Sequence, residues 1–545
     1  MKQRSNDNTS PADLKGHSEG TGAVRKQHPV YRDLLPPCNN ACPAGENIQA
    51  WLGFAQAGNF EAAWRVIMEN NPLPAVSGRV CYHTCEDKCN RAHIDSTVNI
   101  HAVERFLGDE ALTKGWKVEP EAPPTGKRIL IVGAGPSGLS VAYHLSRLGH
   151  YAEIHEAGPF AGGMMHFGIP AYRLPRKELE QEVDRIIEMG VKIVFNHKVD
   201  DVLKEKEEGN FDAVFIAIGT QLSKKIDIPG RDAGKILDAL TFLKQVEEGT
   251  APKLGRRVAV YGGGNTAMDA ARTLKRLGNT DAMIIYRRDR EHMPAHDFEA
   301  QEAIEEGVNI NWLRTIKGID GENITVEVME LVDGKPVPTG RLETLEADNL
   351  ILALGQDTDT GFLSGIPGIE FKTDGTVVVG PDMMTGHERI FAGGDMVPGE
   401  RNVTVAIGHG KKAARYIDGY LQGLPYQPEA KHPPVDFEQL KRWYTTHAPL
   451  REQGEVSATV RTASFEEVRA GLPEDEALFE AQRCLSCGNC YECDGCYGAC
   501  PEHAVIKLGK GNRYNFNYDE CTGCAICYEQ CPCHAIEMVS EITEA

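Results

Sequence analysis

No apolar run in this chain approaches the roughly 20 residues that cross a bilayer, so no membrane-spanning helix is expected. Positive charge is scarce too. Lysine and arginine number 58 against 79 acidic residues, leaving a formal charge of -21, and a surface of that sign repels nucleic acid and anionic membranes as partners. The opening MKQRSNDNTSPADLKGHSEGTG has no hydrophobic segment of the secretory type. The expectation is a cytoplasmic protein whose residues 1–30 are a disordered lead-in or strap. Cysteine is missing from the entire middle: none lies between Cys89 and Cys484, although the chain has sixteen. A disulfide framework belongs to small secreted domains, whereas clustered cysteines in a long cytoplasmic chain read as metal ligands.

What is present begins with length. A chain of 545 residues exceeds a single core and implies roughly three or four domains. From Lys127, KRILIVGAGPSGLSVAYHLSRLGHYAEIHEA places a short apolar strand before Gly133, Gly135, Pro136, Ser137 and Gly138, then a helix, then a second strand ending at Glu156. The three glycines suit a tight turn, close approach to a pyrophosphate and close helix packing, and Glu156 suits a ribose hydroxyl. The free N–H groups of the helix N-terminus would face the phosphates.

A second unit follows in RRVAVYGGGNTAMDAARTLKRLGNTDAMIIYRRDREHMPA. Gly262, Gly263 and Gly264 open its helix with Asn265 and Thr266, but Arg287 and Arg288 stand where NAD would want an acid. Arginine there suits a 2'-phosphate and so NADP, with NAD still admissible. The other reading of the two arginines is a solvated strand end. Further on, Gly394 and Asp395 follow an apolar strand, and a helix starts near Thr404.

At the C-terminus, Cys490, Cys493, Cys496, Cys500 with Pro501, and Cys521, Cys524, Cys527, Cys531 with Pro532, each match C-x-x-C-x-x-C-x-x-x-C-P. This tandem is the ligand run of a bacterial two-cluster ferredoxin, in which the fourth cysteine serves the other 4Fe-4S cluster. Zinc does not require such a repeat.

GAGPSG, GGMMHFGIPAYRLPR with Gly163, AVFIAIGT with Gly219, GGGNTAMDAAR, YRR and FAGGDM resemble, in order, the small subunit of glutamate synthase and its relatives, among them the NADPH half of dihydropyrimidine dehydrogenase. Ile218 departs from the threonine common there. The resemblance implies that the first unit binds FAD, that Asp395 holds its ribityl chain, and that the second unit, inserted into the first, binds NADPH. Disulfide reductases of this two-nucleotide fold need a cysteine pair beside the flavin, and none exists here.

PPCNNACPAG and GRVCYHTCEDKCN also resemble the family's front iron–sulfur region, but its R-C-L-x-C piece is absent before Cys38 and stands instead at 483–487. By resemblance, one front cluster takes Cys42, Cys81, Cys85 and a polar residue at Glu104, which on its own reads as a solvated helix residue. The other takes Cys38 and Cys89 with Cys484 and Cys487. Four clusters then use fifteen cysteines and one carboxylate, with Cys533 a bystander.

The expected architecture is α/β: two nested Rossmann-like dinucleotide-binding domains, an N-terminal α-helical Fe-S domain and a C-terminal α+β ferredoxin-like domain. The expected spans are 31–122 for the helical Fe-S domain, 123–252 and 381–425 for the FAD domain, 253–380 for the NAD(P)H domain, 426–482 for a linker and 483–545 for the ferredoxin domain. No residue is compelled as a general acid or base, and His144, His155 and His166 read as packing or surface residues. The expected function is an electron-transfer subunit joined to a catalytic partner such as a glutamate synthase large subunit or a 2-oxoacid:acceptor oxidoreductase, or to ferredoxin. The ferredoxin fusion favours the second, with electrons running to NAD(P)+. A non-catalytic Fe-S conduit is the rival class, and the intact glycine turns oppose it.

Overall fold

Arg128–Val132, sequence RILIV, is apolar on both faces and buried from Ile129 onward, the pattern of a strand covered by helices on two sides. In the computed structural model, which describes residues 25–224, 228–229, 236–279 and 281–541, it is the central strand of five. The parallel order is Ile390–Ala392, Ala213–Ile216, Arg128–Val132, Tyr151–His155, Lys192–Val194. Helices Pro136–Arg147 and Val403–Gln422 pack against each other beside this sheet. The crossover from Arg128–Val132 to Tyr151–His155 runs through Pro136–Arg147. A Cβ on Gly138 would meet the Gly133 carbonyl oxygen at 2.0 Å, so the third glycine of the turn is fixed by helix-on-strand packing.

The second unit is also a five-stranded parallel sheet, in the order Asn309–Trp312, Asp281–Tyr286, Arg257–Tyr261, Asn349–Leu352, Ile236–Asp238. A three-stranded antiparallel sheet, Arg314–Asp320, Asn323–Val332 and Lys335–Glu346, extends from it. The two Rossmann-like domains are therefore nested. Their seams differ from the expected 253–380 span. Ile236–Asp238 and helix Ala239–Glu247 already belong to the second unit, while Leu363, Ile366, Ile369 and Val377 lie in the core of the first. An edge strand three residues long carries too little periodic signal to mark the crossing.

The front of the chain is helical: Ile48–Gln56, Phe60–Met68, Pro74–Val80 and Ile100–Lys114. Pro74–Val80 and Ile100–Lys114 cross at glycines, since a Cβ on Gly108 would sit 2.4 Å from the Ala75 nitrogen. Two expectations fail at the ends. Within the supposed lead-in, Gln27–Tyr31 is a strand paired antiparallel with Ile536–Ser540; residues 1–24 of that lead-in lie outside the described residues. The supposed linker 426–482 is an embedded strap. It buries Val435, Leu440, Val468 and Leu472 and carries helix Glu474–Gln482, which packs on Ile48–Gln56 and Ile100–Lys114. Its polar, proline-bearing composition masks isolated apolar anchors whose partners lie hundreds of residues away.

Candidate functional site

The glycine turn of the first unit and the start of the second unit's helix open into one cleft of about 770 Å³. From the first unit Gly133, Gly135, Pro136, Ser137, Glu156, Gly163, Gly219, Gly394 and Asp395 line it; from the second, Asn265 and Thr266 do. Gly138 lies beneath the turn as packing. Glu156 is already oriented: its two carboxylate oxygens accept the Ala134 and Gly158 N–H groups, each at 2.7 Å. Gly262, Gly263 and Gly264 form the second turn at the start of helix Asn265–Arg276. Gly262 has φ +154° and presses on the Ala353 carbonyl, where a Cβ would come to 2.1 Å. Arg287 and Arg288 stand just past strand Asp281–Tyr286, away from the cleft lining. Arg287 is exposed, and the buried Arg288 Nε has no partner among the described residues. Such an orphaned donor fits a phosphate.

Burial pushes the Asp395 carboxyl up to about 6, against a lowering by the Arg401 charge. A raised carboxyl favours the protonated fold, so its ionisation removes stability as pH climbs from about 4 to about 6. Asp395→Asn should therefore raise the melting temperature of flavin-free protein at pH 7, by more than it does near pH 4. In the loaded protein, Asp395→Ala should lose flavin while keeping its iron; a normal flavin-to-protein ratio would remove Asp395 from the flavin contacts.

Thr404 departs from its expected role. Its buried hydroxyl donates to Cys81 Sγ at 3.2 Å, so the flavin-unit helix touches a front cysteine directly. Val80 and Tyr82, on either side of Cys81, line the cleft. Tyr82 also stacks on His296 with centroids 3.8 Å apart, and Asn265 Nδ2 donates to its hydroxyl at 2.5 Å. One residue thus ties the helical domain to the second nucleotide unit. Arg173, mostly buried at the cleft wall, pairs with Asp269 at 2.8 Å and Glu299 at 2.5 Å, and these charges tie the first unit to the second. Tyr82, Arg173 and Asp269 lie within GRVCYHTCEDKCN, GGMMHFGIPAYRLPR and GGGNTAMDAAR, but the motifs do not disclose their roles, because each acts through a neighbour distant in sequence.

The cysteines gather in four neighbourhoods, and none of the sixteen is joined in a disulfide. Burial lifts the Cys38 thiol well above its usual value, and the Cys484, Cys89 and Cys487 thiolates lift it further. Burial likewise pushes Cys484 and Cys487 up to about 12, with Cys89 adding to each. Asn90 Nδ2 donates to Cys487 Sγ at 3.5 Å. Cys42, Cys81 and Cys85 form the second neighbourhood. Burial raises Cys42, and the Glu46 charge raises it further, ahead of Glu104 and Cys81. Glu104 is buried rather than solvated, and burial and Glu46 drive its carboxyl well above the usual range. Asn71 Nδ2 donates to Glu46 Oε1 and Glu104 Oε1, both at 2.9 Å. Glu46 was not expected here; it sits in a loop with no motif of its own.

In the C-terminal domain, burial followed by Cys531 and Cys493 pushes Cys490 up to about 11, and the neighbours raising Cys496 are Cys490, Cys531 and Cys493. Cys500 instead lines a small cavity with Cys521, Cys524 and Cys527. The fourth cysteine of each motif has crossed to the other group. Crowded, desolvated thiolates repel one another, and a cationic iron core relieves that repulsion, so these donor sets fit 4Fe-4S clusters.

Two family models match the chain: pyridine nucleotide-disulphide oxidoreductase over residues 127–410, and dihydropyrimidine dehydrogenase domain II, 4Fe-4S cluster, over residues 33–116. The chain is 34% identical to the NADP(+)-dependent formate dehydrogenase subunit beta of Moorella thermoacetica, covering 87% of this chain and 74% of that one. It is 34% identical to the NADPH-Fe(3+) oxidoreductase subunit beta of Geobacter sulfurreducens, covering 85% and 77%. It is 33% identical to the glutamate synthase [NADPH] small chain of Escherichia coli, covering 71% and 89%.

Proposed function

From a chain that belongs to the pyridine nucleotide-disulphide oxidoreductase family and carries a dihydropyrimidine dehydrogenase-type 4Fe-4S domain, we propose a relay that exchanges hydride with NADP(H) and single electrons with a partner subunit. It is an NADPH-dependent flavin and iron–sulfur oxidoreductase. The family's disulphide chemistry is closed to it, because residues 127–410 contain no cysteine. What supports the reading is one cleft lined by the first unit's glycine turn and by Asn265 and Thr266 at the start of the second unit's helix, since hydride transfer needs the two rings in contact.

When bound, FAD, NADP(H) and the clusters supply hydride and one-electron chemistry at this site. The chain's own residues bind and orient. The Gly133–Gly135 turn and the N-terminus of helix Pro136–Arg147 would hold the FAD pyrophosphate, Glu156 its ribose and Asp395 its ribityl hydroxyls. Gly262, Gly263, Gly264, Asn265 and Thr266 would hold the NADPH pyrophosphate, with Arg287 and Arg288 on the 2'-phosphate. Cys42, Cys81, Cys85 and a carboxylate from Glu104 or Glu46 would hold the cluster nearest the cleft, with Thr404 fixing the Cys81 thiolate. Cys38, Cys89, Cys484 and Cys487 would hold the next. Cys490, Cys493, Cys496 and Cys531, and Cys521, Cys524, Cys527 and Cys500, would hold the outer pair.

The relatives are named as subunits, and a complex partner is the corresponding expectation here. We infer a separate catalytic subunit that feeds electrons inward through the ferredoxin domain, as a formate dehydrogenase or a 2-oxoacid:acceptor oxidoreductase would. The formate dehydrogenase likeness supports this over a glutamate synthase large subunit, because it covers 87% of the chain, more than residues 1–425 contain. Among the described residues no helix is long and apolar enough to cross a membrane.

The test is anaerobic reduction of benzyl viologen by NADPH with the cofactor-loaded chain alone. Rapid dye reduction is expected. A chain that holds full iron and flavin yet passes nothing from NADPH to the dye would be a conduit rather than an oxidoreductase.

A further inference from the structure

At the end of the cleft that Glu156 marks, His155 and His197 line the wall with Glu205 behind them, and the relay as proposed gives none of the three a role. His155 ends strand Tyr151–His155, His197 lies in the loop after Lys192–Val194, and Glu205 projects from helix Val202–Glu208. Glu205 Oε1 is 3.0 Å from His155 Nδ1 and 2.9 Å from His197 Nε2. All three donor atoms lie within 4.8 Å of one another.

The tautomer of His155 is the telling feature. Its Nε2 is 3.2 Å from Glu153 Oε1, and a carboxylate only accepts, so Nε2 carries the proton. In the neutral ring Nδ1 then bears a lone pair. That atom is buried and has no hydrogen bond among the described residues, although Glu205 Oε1 is only 3.0 Å away. The angle is wrong for an N–H aimed at that oxygen. Two electron-rich atoms held this close and aimed past each other are in the arrangement of two donors to one cation. The Glu153–His155 pair also reproduces the outer support of metal-ligating histidines, in which a carboxylate takes the far N–H and makes the near nitrogen more basic. Glu153 is itself fixed by Lys192 at 2.9 Å and the Tyr151 hydroxyl at 3.1 Å.

We propose that His155 Nδ1, His197 Nε2 and Glu205 form a three-donor site for a divalent cation of the zinc class. Two imidazoles and one carboxylate with room for a further ligand are a zinc donor set. The donor separations need widen only slightly for metal–nitrogen bonds near 2.0–2.1 Å. Binding would join the strand end, the loop and the helix. The loop already braces the flavin side of the cleft, because the His197 N–H donates to the Glu156 carbonyl at 2.9 Å and the Asn196 N–H to the Gly158 carbonyl at 3.0 Å. A bound ion would stiffen that brace.

The experiment uses holoprotein with its clusters in place, equilibrated with zinc chloride at buffered free concentration and analysed for metal by mass spectrometry. Wild type should hold one zinc beyond any background, and His197→Ala and Glu205→Gln should each lose it at unchanged iron. Both side chains are partly exposed, so these variants should fold. Glu153→Gln should retain the site with about 10- to 100-fold weaker affinity. Wild type without zinc, or variants holding as much as wild type, would overturn the site and leave His155 as an imidazolium bridging two carboxylates. A second readout, slower flavin release with zinc in wild type but not in the variants, rests on the proposed FAD position; the zinc count does not.

Discussion

Replacing Cys484 and Cys487 together by serine should lower iron by about four atoms per chain, the content of one cubane, while NADPH still reduces the flavin at full speed. Electron arrival at the outer clusters should slow sharply. The geometry behind this is a seam between chain ends. Arg483, 2% exposed, donates to the Thr97 and Ser96 carbonyls, each at 2.7 Å, and pairs with Glu480 at 2.8 Å. Gln56 Nε2 reaches the Cys484 carbonyl at 3.3 Å, and the Leu34 N–H donates to the Gly488 carbonyl at 3.1 Å. These bonds clamp the C-terminal domain onto the front helices independently of the two thiols, so the variant should fold. Stopped-flow absorbance would resolve flavin from cluster reduction. Full iron with undisturbed reduction of every cluster would return both cysteines to the role of connecting residues. Cys533→Ser, beside Cys531 Sγ at 3.9 Å, should keep all its iron.

Changing Arg287 and Arg288 together to alanine should cut kcat/KM for NADPH by about 10- to 150-fold, the range for one lost charge-assisted hydrogen bond of roughly 1.5–3 kcal/mol. The NADH value should scarcely move. The acid next to them in sequence, Asp289, is engaged by His292, whose Nδ1 is 2.7 Å from Asp289 Oδ1, which keeps that carboxylate from a ribose 2'-hydroxyl. Equal losses with both coenzymes would mean that the arginines support the strand end rather than a phosphate.

Local spacing made the nucleotide units and the ferredoxin pair readable. In Gly133 to Gly138, and among the first three cysteines of each C-terminal run, the interacting groups lie within a few residues, so geometry and chemistry are both encoded in spacing. Cys484 and Cys487 are singled out for another reason: the resemblance implies an R-C-L-x-C piece at the front of the chain, and that piece stands instead at 483–487. Other features resisted because they rest on partners far along the chain. Composition made 426–482 a linker, yet Leu472 and helix Glu474–Gln482 pack into the front core. Glu46 has no motif, and only the fold sets it against Cys42. Thr404 opened a helix that fitted a cofactor role until its hydroxyl was found on Cys81.

The sequence by itself determined the two nucleotide turns, the spacing of the cysteine runs, the absence of a cysteine pair within residues 127–410 and the acidic net charge, since each follows from residue type and short-range spacing. Only the tertiary structure decided that the first turn and the start of the second unit's helix share one cleft, that Tyr82 and Arg173 lock the second unit against it, that strand Gln27–Tyr31 pairs with Ile536–Ser540, and that His155, His197 and Glu205 converge. Those arrangements depend on packing between segments tens to hundreds of residues apart, where burial and hydrogen-bond satisfaction choose the partners and no local pattern records the choice.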